Sequence, residues 1–306
     1  MNSMLRRKLR AMGYLLLRVA TDISSLFPNG DRKVPILVYH RVCPLYYKKE
    51  IIYANVYPEE FNKQMVYLKT HFEVITVSEY LERISSESLT GKEICLTFDD
   101  GFKDNYLYAF PILKEYGLRA TFFLTTGYIG GNSLFAWMPL DKGGKEDSFR
   151  HRERWLPLSW EEVREMMEWG MEFGTHTHTH RDSLSKMSRS EVEWEIEQST
   201  KCFRKETGVN PDFFSYPHGT FKDYSPFHID VLKAFKYRGA LTTNIGRNGW
   251  PQNPYELKRI IVYEMDSLRE FRKKVTGAYD IAENLQKLWL KVAGSRPYQS
   301  SEERSF

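Results

Sequence analysis

The 306-residue sequence predicts an α/β fold built on a parallel sheet. Short apolar runs with strand character alternate with segments of helical periodicity between residues 34 and 263. Three of these apolar runs end in a polar cluster, and in α/β barrels the functional groups lie at the carboxyl ends of the strands. Hydrophobic residues make up 42% of the chain, which is enough for a core in one large domain or two small ones.

The predicted elements follow one another without internal repeats. The apolar runs predict strands at 34–39, 74–77, 93–98, 120–125, 171–175, 213–216, 239–243 and 259–263. Helical spacing and end signals predict helices at 58–70, 78–84, 106–116, 159–169, 190–207 and 230–237. Phe61, Met65 and Leu68 give the first helix an apolar face. Ser159 and Glu162 form a capping box for the fourth.

Three segments fall outside this alternation. Residues 130–158 are rich in Gly, Trp and charge, and we interpret them as an insertion or lid. Residues 1–30 are predicted to form a basic amphipathic helical leader, and residues 276–306 a C-terminal helix and polar tail. Residues 31–275 form the main predicted domain, which carries all three polar clusters.

The leader has two interpretations. Apolar residues between positions 5 and 26 recur at steps of four and three, which is one stripe of a helix. Such a basic helix can lie on an anionic membrane surface, or it can pack on its own domain or a partner. Arg18 and Asp22 interrupt the apolar stretch, so neither a clean signal peptide nor a membrane-spanning helix is predicted. A cytoplasmic or membrane-peripheral location is expected, with secretion as the alternative.

Charge and cysteine content exclude other classes. The net charge of +4 is small and concentrated at the N-terminus, without the long basic stripe of a nucleic-acid-binding protein. Cys43, Cys95 and Cys202 are far apart and odd in number, so they indicate neither a zinc knuckle nor a disulfide framework. Free thiols fit a reducing compartment.

Two of the polar clusters suggest a metal site. His176 and His180 are four residues apart, and a helical turn would place both imidazoles on one face. Two histidines with one carboxylate leave coordination positions open, as in catalytic metal sites. Taken alone, the histidines could be ordinary surface or core residues, and Asp99 and Asp100 could cap a helix. Found together at strand ends, they predict that one aspartate ligates the metal while the other takes a proton from the metal-bound water.

Three motifs resemble those of a known family. The segments 97–101 (TFDDG), 175–180 (THTHTH) and 215–219 (SYPHG) are similar to the first three motifs of the polysaccharide deacetylases, carbohydrate esterase family four, and they occur in the family's order. The resemblance covers residues 34–263. It implies a distorted (β/α) barrel, usually with seven units.

The resemblance also implies roles for these residues. Asp99 is the general base, and Asp100, His176 and His180 bind a divalent metal, expected to be Zn²⁺ with Co²⁺, Ni²⁺ and Mn²⁺ as alternatives. The third motif lines the substrate groove through Tyr216, Pro217, His218 and Gly219. The backbone N–H of His218 is expected to face the acyl oxyanion.

Two departures from the family's pattern lead to further predictions. Ser215 stands where the third motif usually has an arginine that orients the base, and Arg259 is the candidate to supply that charge. The late Leu-x-His motif that usually holds the general acid has no clear counterpart. Residues 37–41 (LVYHR) resemble an early motif of a branch that includes the poly-N-acetylglucosamine deacetylases, so His40 is the predicted acid, with His178 and His218 as competitors.

These observations predict a metal-dependent hydrolase that removes N-acetyl groups from an N-acetylglucosamine-containing polysaccharide or oligosaccharide. Trp137, Trp155 and Trp160, near the proposed lid, favour a glycan substrate. One alternative on the same fold is hydrolysis of another non-peptide C–N bond. The others are a non-haem iron site, which usually lies in a β-barrel, and an inactive glycan-binding module.

Overall fold

The computed structural model describes residues 32–44, 55–137, 152–249, 251–264 and 266–280. The leader, the centre of the insertion and the C-terminal tail lie outside these residues. Membrane contact through residues 5–26, the domain limits at 31 and 275, and the helix after residue 276 therefore stay predictions. Within the described part of the chain, no helix has the length and apolar character needed to cross a bilayer.

Parallel strands form a barrel-like sheet. The strands are β1 (Ile36–Tyr39), β2 (Arg41–Val42), β3 (Asn55–Val56), β4 (Glu73–Ile75), β5 (Glu93–Phe98), β6 (Thr121–Leu124), β7 (Glu172–Thr175), β8 (Phe213–Ser215), β9 (Gly239–Leu241) and β10 (Ile260–Ile261). Seven of them follow the order β10-β1-β5-β6-β7-β8-β9, while β4 pairs with the first half of β5. A parallel bridge between Leu241 and Leu257 connects β9 to the segment that leads into β10. This path confirms the predicted seven-stranded, distorted (β/α) barrel.

Seven α-helices lie in the described residues. They are α1 (Pro58–His71), α2 (Val77–Ser85), α3 (Phe110–Tyr116), α4 (Trp160–Glu168), α5 (Arg189–Thr207), α6 (Pro226–Ala234) and α7 (Leu268–Val275). Capping boxes begin α2 at Thr76, α4 at Ser159 and α5 at Ser188, so the Ser159 prediction is confirmed. Gly117 and Gly208 end α3 and α5 in the left-handed conformation.

The structure differs from the predicted elements in four main places, one of which is the unpredicted helix α7 (Leu268–Val275). The helix predicted at 106–116 begins as a π-helix over Asn105–Ala109. The helix predicted at 230–237 starts earlier, because Pro226 suits a first helical position and His228 accepts a hydrogen bond from the Ser225 N–H. The pair β2–β3 was not predicted, because two-residue strands carry no periodic signal.

The alternation of side chains decides which residues face the barrel interior. Tyr39, Phe98, Phe122 and Phe173 stack from strand to strand on the outer, helix-facing side, with ring centroids 4.6–5.3 Å apart. Because successive strand residues point to opposite sides, the residues after Tyr39 and Phe98 face inward. Apolar side chains, Phe123 and Phe213 among them, fill the lower interior. Polar side chains lie above this apolar layer, at the carboxyl ends of the strands.

Candidate active site

Asp99 and Asp100 follow β5 at the mouth of the barrel. The Asp99 N–H donates to the carbonyl of Tyr39 at 3.0 Å, which holds the end of β5 against β1. The chain then turns sharply, with positive φ angles at Asp100 and Gly101. A Cβ atom on Gly101 would come within 2.9 Å of the Leu124 and Ile129 side chains, so the turn requires glycine.

Arg259 and Ser215 hold the Asp99 carboxylate. The Arg259 guanidinium donates to both Asp99 oxygens at 2.7 and 2.8 Å, and the Ser215 hydroxyl donates to one of them at 3.1 Å. Arg259 precedes β10, and its buried side chain also donates to the Thr242 carbonyl at 2.8 Å. Burial acts to raise the pKa of Asp99, but the charge and hydrogen bonds of Arg259, together with the nearby His176 and His40, outweigh burial and hold that pKa well below its usual range. This is the contact that base orientation by Arg259 requires; the role itself stays a prediction.

His176 and His180 converge without forming a helical turn. His176 follows β7, and the chain folds back through positive φ angles at Thr177 and His180. The Thr177 hydroxyl accepts a hydrogen bond from the His180 N–H at 3.0 Å and stabilises this loop. The two ring centroids lie 4.7 Å apart. The predicted helical geometry is therefore wrong, although the predicted convergence of the two rings is present.

The two imidazoles face the Asp100 carboxylate. Its Oδ1 atom lies 3.6 Å from His176 Nε2 and 3.9 Å from His180 Nε2. Ligands at 2.0–2.1 Å from a tetrahedral metal are roughly 3.4 Å apart, and the three atoms here all lie within 4.8 Å of one another, so a modest shift would let them share an ion. His176 Nδ1 lies 2.7 Å from the Ser215 carbonyl, which only accepts, so Nδ1 carries the proton and Nε2 is available as a ligand.

The local charges also suit a cation. Asp100 is 4% exposed, and burial together with the negative charge of Asp99 raises its pKa well above the usual value. Among the residues that the structure describes, no hydrogen-bond donor neutralises this carboxylate as Arg259 neutralises Asp99. Burial lowers the pKa of both His176 and His180, which keeps the rings neutral, the form in which imidazole ligates metals.

Glu195 supports the loop of residues 176–180, which we call the histidine loop. The sequence analysis did not identify this residue. It lies on α5, is 3% exposed, and accepts hydrogen bonds from the N–H groups of His178 and Thr179 at 2.9 and 2.8 Å. The Thr179 hydroxyl donates to it as well. An acidic residue between the apolar positions Val192 and Ile196 was the available signal, because a buried carboxylate needs partners.

The third motif contributes backbone more than side chains. The Tyr216 ring is fully buried against Phe214 and Tyr224, because it points to the helix-facing side of the sheet. The prediction that Tyr216 lines the groove is therefore corrected. Pro217 is also buried, whereas His218 is exposed and its ring centroid lies 5.8 Å from that of His180.

The peptide N–H of His218 is available to a ligand. His218 has a φ of 60°, and its N–H donates to no group of the described chain. Gly219 follows with a φ of 64°, and a Cβ atom there would lie 2.9 Å from the Thr243 nitrogen. The turn thus depends on glycine at position 219, and it presents the amide that was predicted to face an oxyanion.

His40 lies at the same mouth, after β1. It faces inward by strand alternation and is partly exposed, and Asn105 Nδ2 donates to its carbonyl at 3.0 Å. Burial lowers the pKa of His40 to about 4, opposed by the charge of Asp99 and reinforced by Arg259. His178 points away from this centre, because its Nδ1 pairs with the Thr126 hydroxyl at 3.0 Å. Apart from His176 and His180, the described histidines near the site are thus His40 and His218.

The described ends of the insertion pack close to the mouth. The Trp137 ring lies 4.3 Å from the His180 ring, centroid to centroid. Trp155 stacks under the Arg41 guanidinium at 4.0 Å. Trp160 is buried in the core and begins α4, so it is not available to a sugar, contrary to the expectation from sequence. Of the three tryptophans, Trp137 has the position that a substrate contact needs.

Comparison with known proteins assigns the family. The profile of the polysaccharide deacetylase family matches residues 86–240, half of the chain. The chain belongs to the polysaccharide deacetylase family. It is accordingly a hydrolase that acts on amide C–N bonds, and the predicted family is confirmed.

Individual relatives have low sequence identity to this chain, but the matches cover most of its length. The chain is 26% identical over 251 residues to the poly-β-1,6-N-acetyl-D-glucosamine N-deacetylase of Staphylococcus aureus (strain MSSA476), and the match covers 76% of each chain. The Streptococcus pyogenes deacetylase PplD, solved with acetate, shares the fold with a TM-score of 0.66 at 24% identity, over 79% of this chain and 98% of that one. A polysaccharide deacetylase of Bacillus cereus matches with a TM-score of 0.61 at 26% identity, over 79% and 69%.

Proposed function

We propose that this polysaccharide deacetylase removes N-acetyl groups from an N-acetylglucosamine-containing glycan with the help of a divalent metal. The observation that carries the proposal is the unequal pairing of two adjacent carboxylates. Arg259 neutralises Asp99, whereas Asp100 faces only two imidazoles whose Nε2 atoms lie within 3.9 Å of it. This arrangement offers one site for a cation and one separate base.

Asp100, His176 and His180 would hold the metal, and zinc fits this mixed nitrogen and oxygen ligand set. When bound, the ion polarises the acyl oxygen of the acetamide and lowers the pKa of water. Asp99 stays ionised beside Arg259, so it can accept the proton of the attacking water. The free His218 N–H can stabilise the charge that develops on the acyl oxygen. His40 can deliver a proton to the departing amine, which leaves poorly as an anion.

An acetate-release assay with defined metal content tests the proposal. The full chain, stripped with chelator and reloaded with zinc, cobalt, nickel or manganese, is incubated with chitin-type oligomers, peptidoglycan and poly-β-1,6-N-acetylglucosamine. We expect metal-dependent acetate release from at least one of these, and none from Asp100→Asn. A metal-loaded protein that binds these glycans but releases no acetate would leave an inactive binding module instead. Activity confined to small amides or cyclic ureides would indicate the other branch of C–N chemistry.

A further inference from the structure

His40 and Asp99 occupy equivalent places on neighbouring strands. The strands β1 and β5 pair in parallel with Tyr39 opposite Phe98, and His40 and Asp99 are the next residues along each chain segment. The backbone of His40 lies between the last residue of β1 and the first residue of β2. Contacts outside the main sheet therefore contribute to the position of His40 relative to Asp99.

The Asn105 side chain makes one of these contacts. Its Nδ2 atom donates to the His40 carbonyl at 3.0 Å and to Asp104 Oδ1 at 2.8 Å. Asn105 is fully buried, and its Oδ1 atom accepts no hydrogen bond from the part of the chain that the structure describes. The opposite amide orientation would place Oδ1 against two oxygen acceptors, so the observed orientation serves the two donated bonds. A buried amide with an unsatisfied oxygen is uncommon, and here its donors hold the backbone of His40.

A buried ion pair holds the residue after His40 to the same turn. Arg41 Nε donates to Asp104 Oδ2 at 2.6 Å, and both side chains are buried. The Arg41 guanidinium also lies over the rings of Phe102 and Trp155, at 4.7 and 4.0 Å from their centroids. Contacts on several sides of Arg41 restrict its movement, and the His40 peptide is restricted with it.

The helix that carries Asn105 begins irregularly. Asn105–Ala109 form a π-helix, which leads into α3. Helices of this type are rare and are frequent at functional sites. The irregular turn thus coincides with the residue that contacts the predicted acid.

We propose that Asn105, supported by the Arg41–Asp104 pair, positions His40 for proton delivery to the departing amine. The inference rests on the proposed function. The short segment from Asp100 to Asn105 carries a proposed metal ligand at one end and the contact to His40 at the other, so it sets the distance between the two groups. Misplacement of a reacting group by about 1 Å can cost roughly 100-fold in rate. Asn105 acts through His40 and is a positioning residue.

The test compares Asn105→Ala with Asn248→Ala. Asn248 is a matched control, since it is also fully buried and its Nδ2 atom donates to the Lys258 carbonyl at 2.8 Å, but it pairs with Val34 before β1, at the opposite end of the strand. For Asn105→Ala we expect kcat on the glycan amide to fall by up to roughly 100-fold. The KM, the metal content and the rate on an activated acetate ester should stay unchanged.

The two control arms separate positioning from stability. Asn248→Ala should keep the ratio of amide to ester rates even if its Tm is lower. Asn105→Ser keeps a donor on a shorter side chain and should lose less of the amide rate; it also provides the comparison if Asn105→Ala does not fold. Equal losses of the amide and ester rates in the Asn105 variants would overturn the inference, as would an unchanged amide rate.

A double variant tests whether Asn105 acts through His40. In a His40→Ala background, Asn105→Ala should cost no further amide rate, because the group that it positions is already absent. Losses that multiply in the double variant would mean that the two residues act independently, and they would overturn the inference.

Nuclear magnetic resonance separates failure of this inference from failure of the proposed function. The imidazole signals of His40, assigned by their absence from His40→Ala, should shift in Asn105→Ala and stay in place in Asn248→Ala. If the unmodified protein releases acetate and the His40 signals do not move in Asn105→Ala, the inference alone is overturned. If no substrate yields acetate, the proposed function is rejected, and the same signals still decide whether Asn105 positions His40.

Discussion

Asp99 and Asp100 are adjacent in the sequence, yet their carboxylates have different neighbours. Arg259 and Ser215 engage Asp99, while the imidazoles of the histidine loop face Asp100. We therefore expect Asp99→Asn to keep its metal. Its rate of acetate release should fall by roughly 10²–10⁴-fold or more, since that range is the usual contribution of a general base. Elemental analysis together with acetate release measures both effects. Asp100→Asn is the matched control and should lose the metal; loss of metal from Asp99→Asn would reverse the two roles.

Arg259 has a structural contribution that can be measured apart from its predicted role in orienting the base. Its side chain is fully buried and pairs with the equally buried Asp99 at 2.7 Å. Removal of one partner of a buried pair leaves an uncompensated charge and typically costs about 3–5 kcal/mol. Arg259→Leu should lower the free energy of unfolding by that amount in urea denaturation. Adding Asp99→Asn should restore part of it, because the unpaired charge is then gone; a double variant as unstable as the sum of the single ones would mean that the pair is not coupled.

His40 lies at the barrel mouth and is the predicted general acid, and a comparison of substrates can test that role. Burial lowers its pKa to about 4, so the ring is neutral near pH 7 in the free site and must gain a proton during turnover. An amide needs that proton on its leaving amine, whereas an ester with a good leaving group does not. His40→Ala should therefore lose most of its amide rate, keep its ester rate and keep its metal. Equal losses of the amide and ester rates would exclude His40 as the general acid and favour His218. The same measurements on His218→Ala test that alternative.

At the scale of elements, side-chain patterns predicted strands better than loops. The run that forms β5 was predicted with its observed bounds, because a short, mostly apolar segment between turn signals at Gly91 and Gly101 leaves little ambiguity. The histidine loop was predicted as a helical turn, and it is not one. Positive φ angles at Thr177 and His180 fold the loop back. Glycine in a sequence often indicates a positive φ angle, whereas threonine and histidine do not.

The role of Glu195 belongs to this scale, since it joins α5 to the histidine loop. The helix was predicted, but its contact with residues 16 and 17 positions earlier follows from tertiary packing alone. Partners that orient metal ligands are typically worth roughly 10–100-fold in affinity. Glu195→Gln should weaken metal binding by about that factor, measured by competition with a chelator. Glu193→Gln on the same helix, whose carboxylate pairs with Arg189 on the surface, is the control. Equal affinity in both variants would make Glu195 a purely structural residue.

At the scale of the whole molecule, barrel closure assembles the site. His40 follows β1, Asp99 follows β5, His176 follows β7 and Arg259 precedes β10, so residues from both ends of the domain meet at one mouth. Motif order and family resemblance predicted the barrel and most of the metal site. The closure itself could not be predicted from periodicity, because it depends on the two-residue strand β10 and one bridge at Leu257.

Metal binding should therefore stabilise the whole barrel. The three proposed ligands come from the ends of β5 and β7, and burial together with the charge of the adjacent Asp99 disfavours the ionised form of Asp100 when no cation is bound. An ion at 100 times its Kd contributes about 2.7 kcal/mol to the folded state. For a domain of this size, that corresponds to a rise in Tm of roughly 5–10 °C. Differential scanning calorimetry with chelator and with added zinc measures the shift. His180→Ala should show little or none of it, and an undiminished shift in that variant would place the stabilising metal elsewhere in the chain.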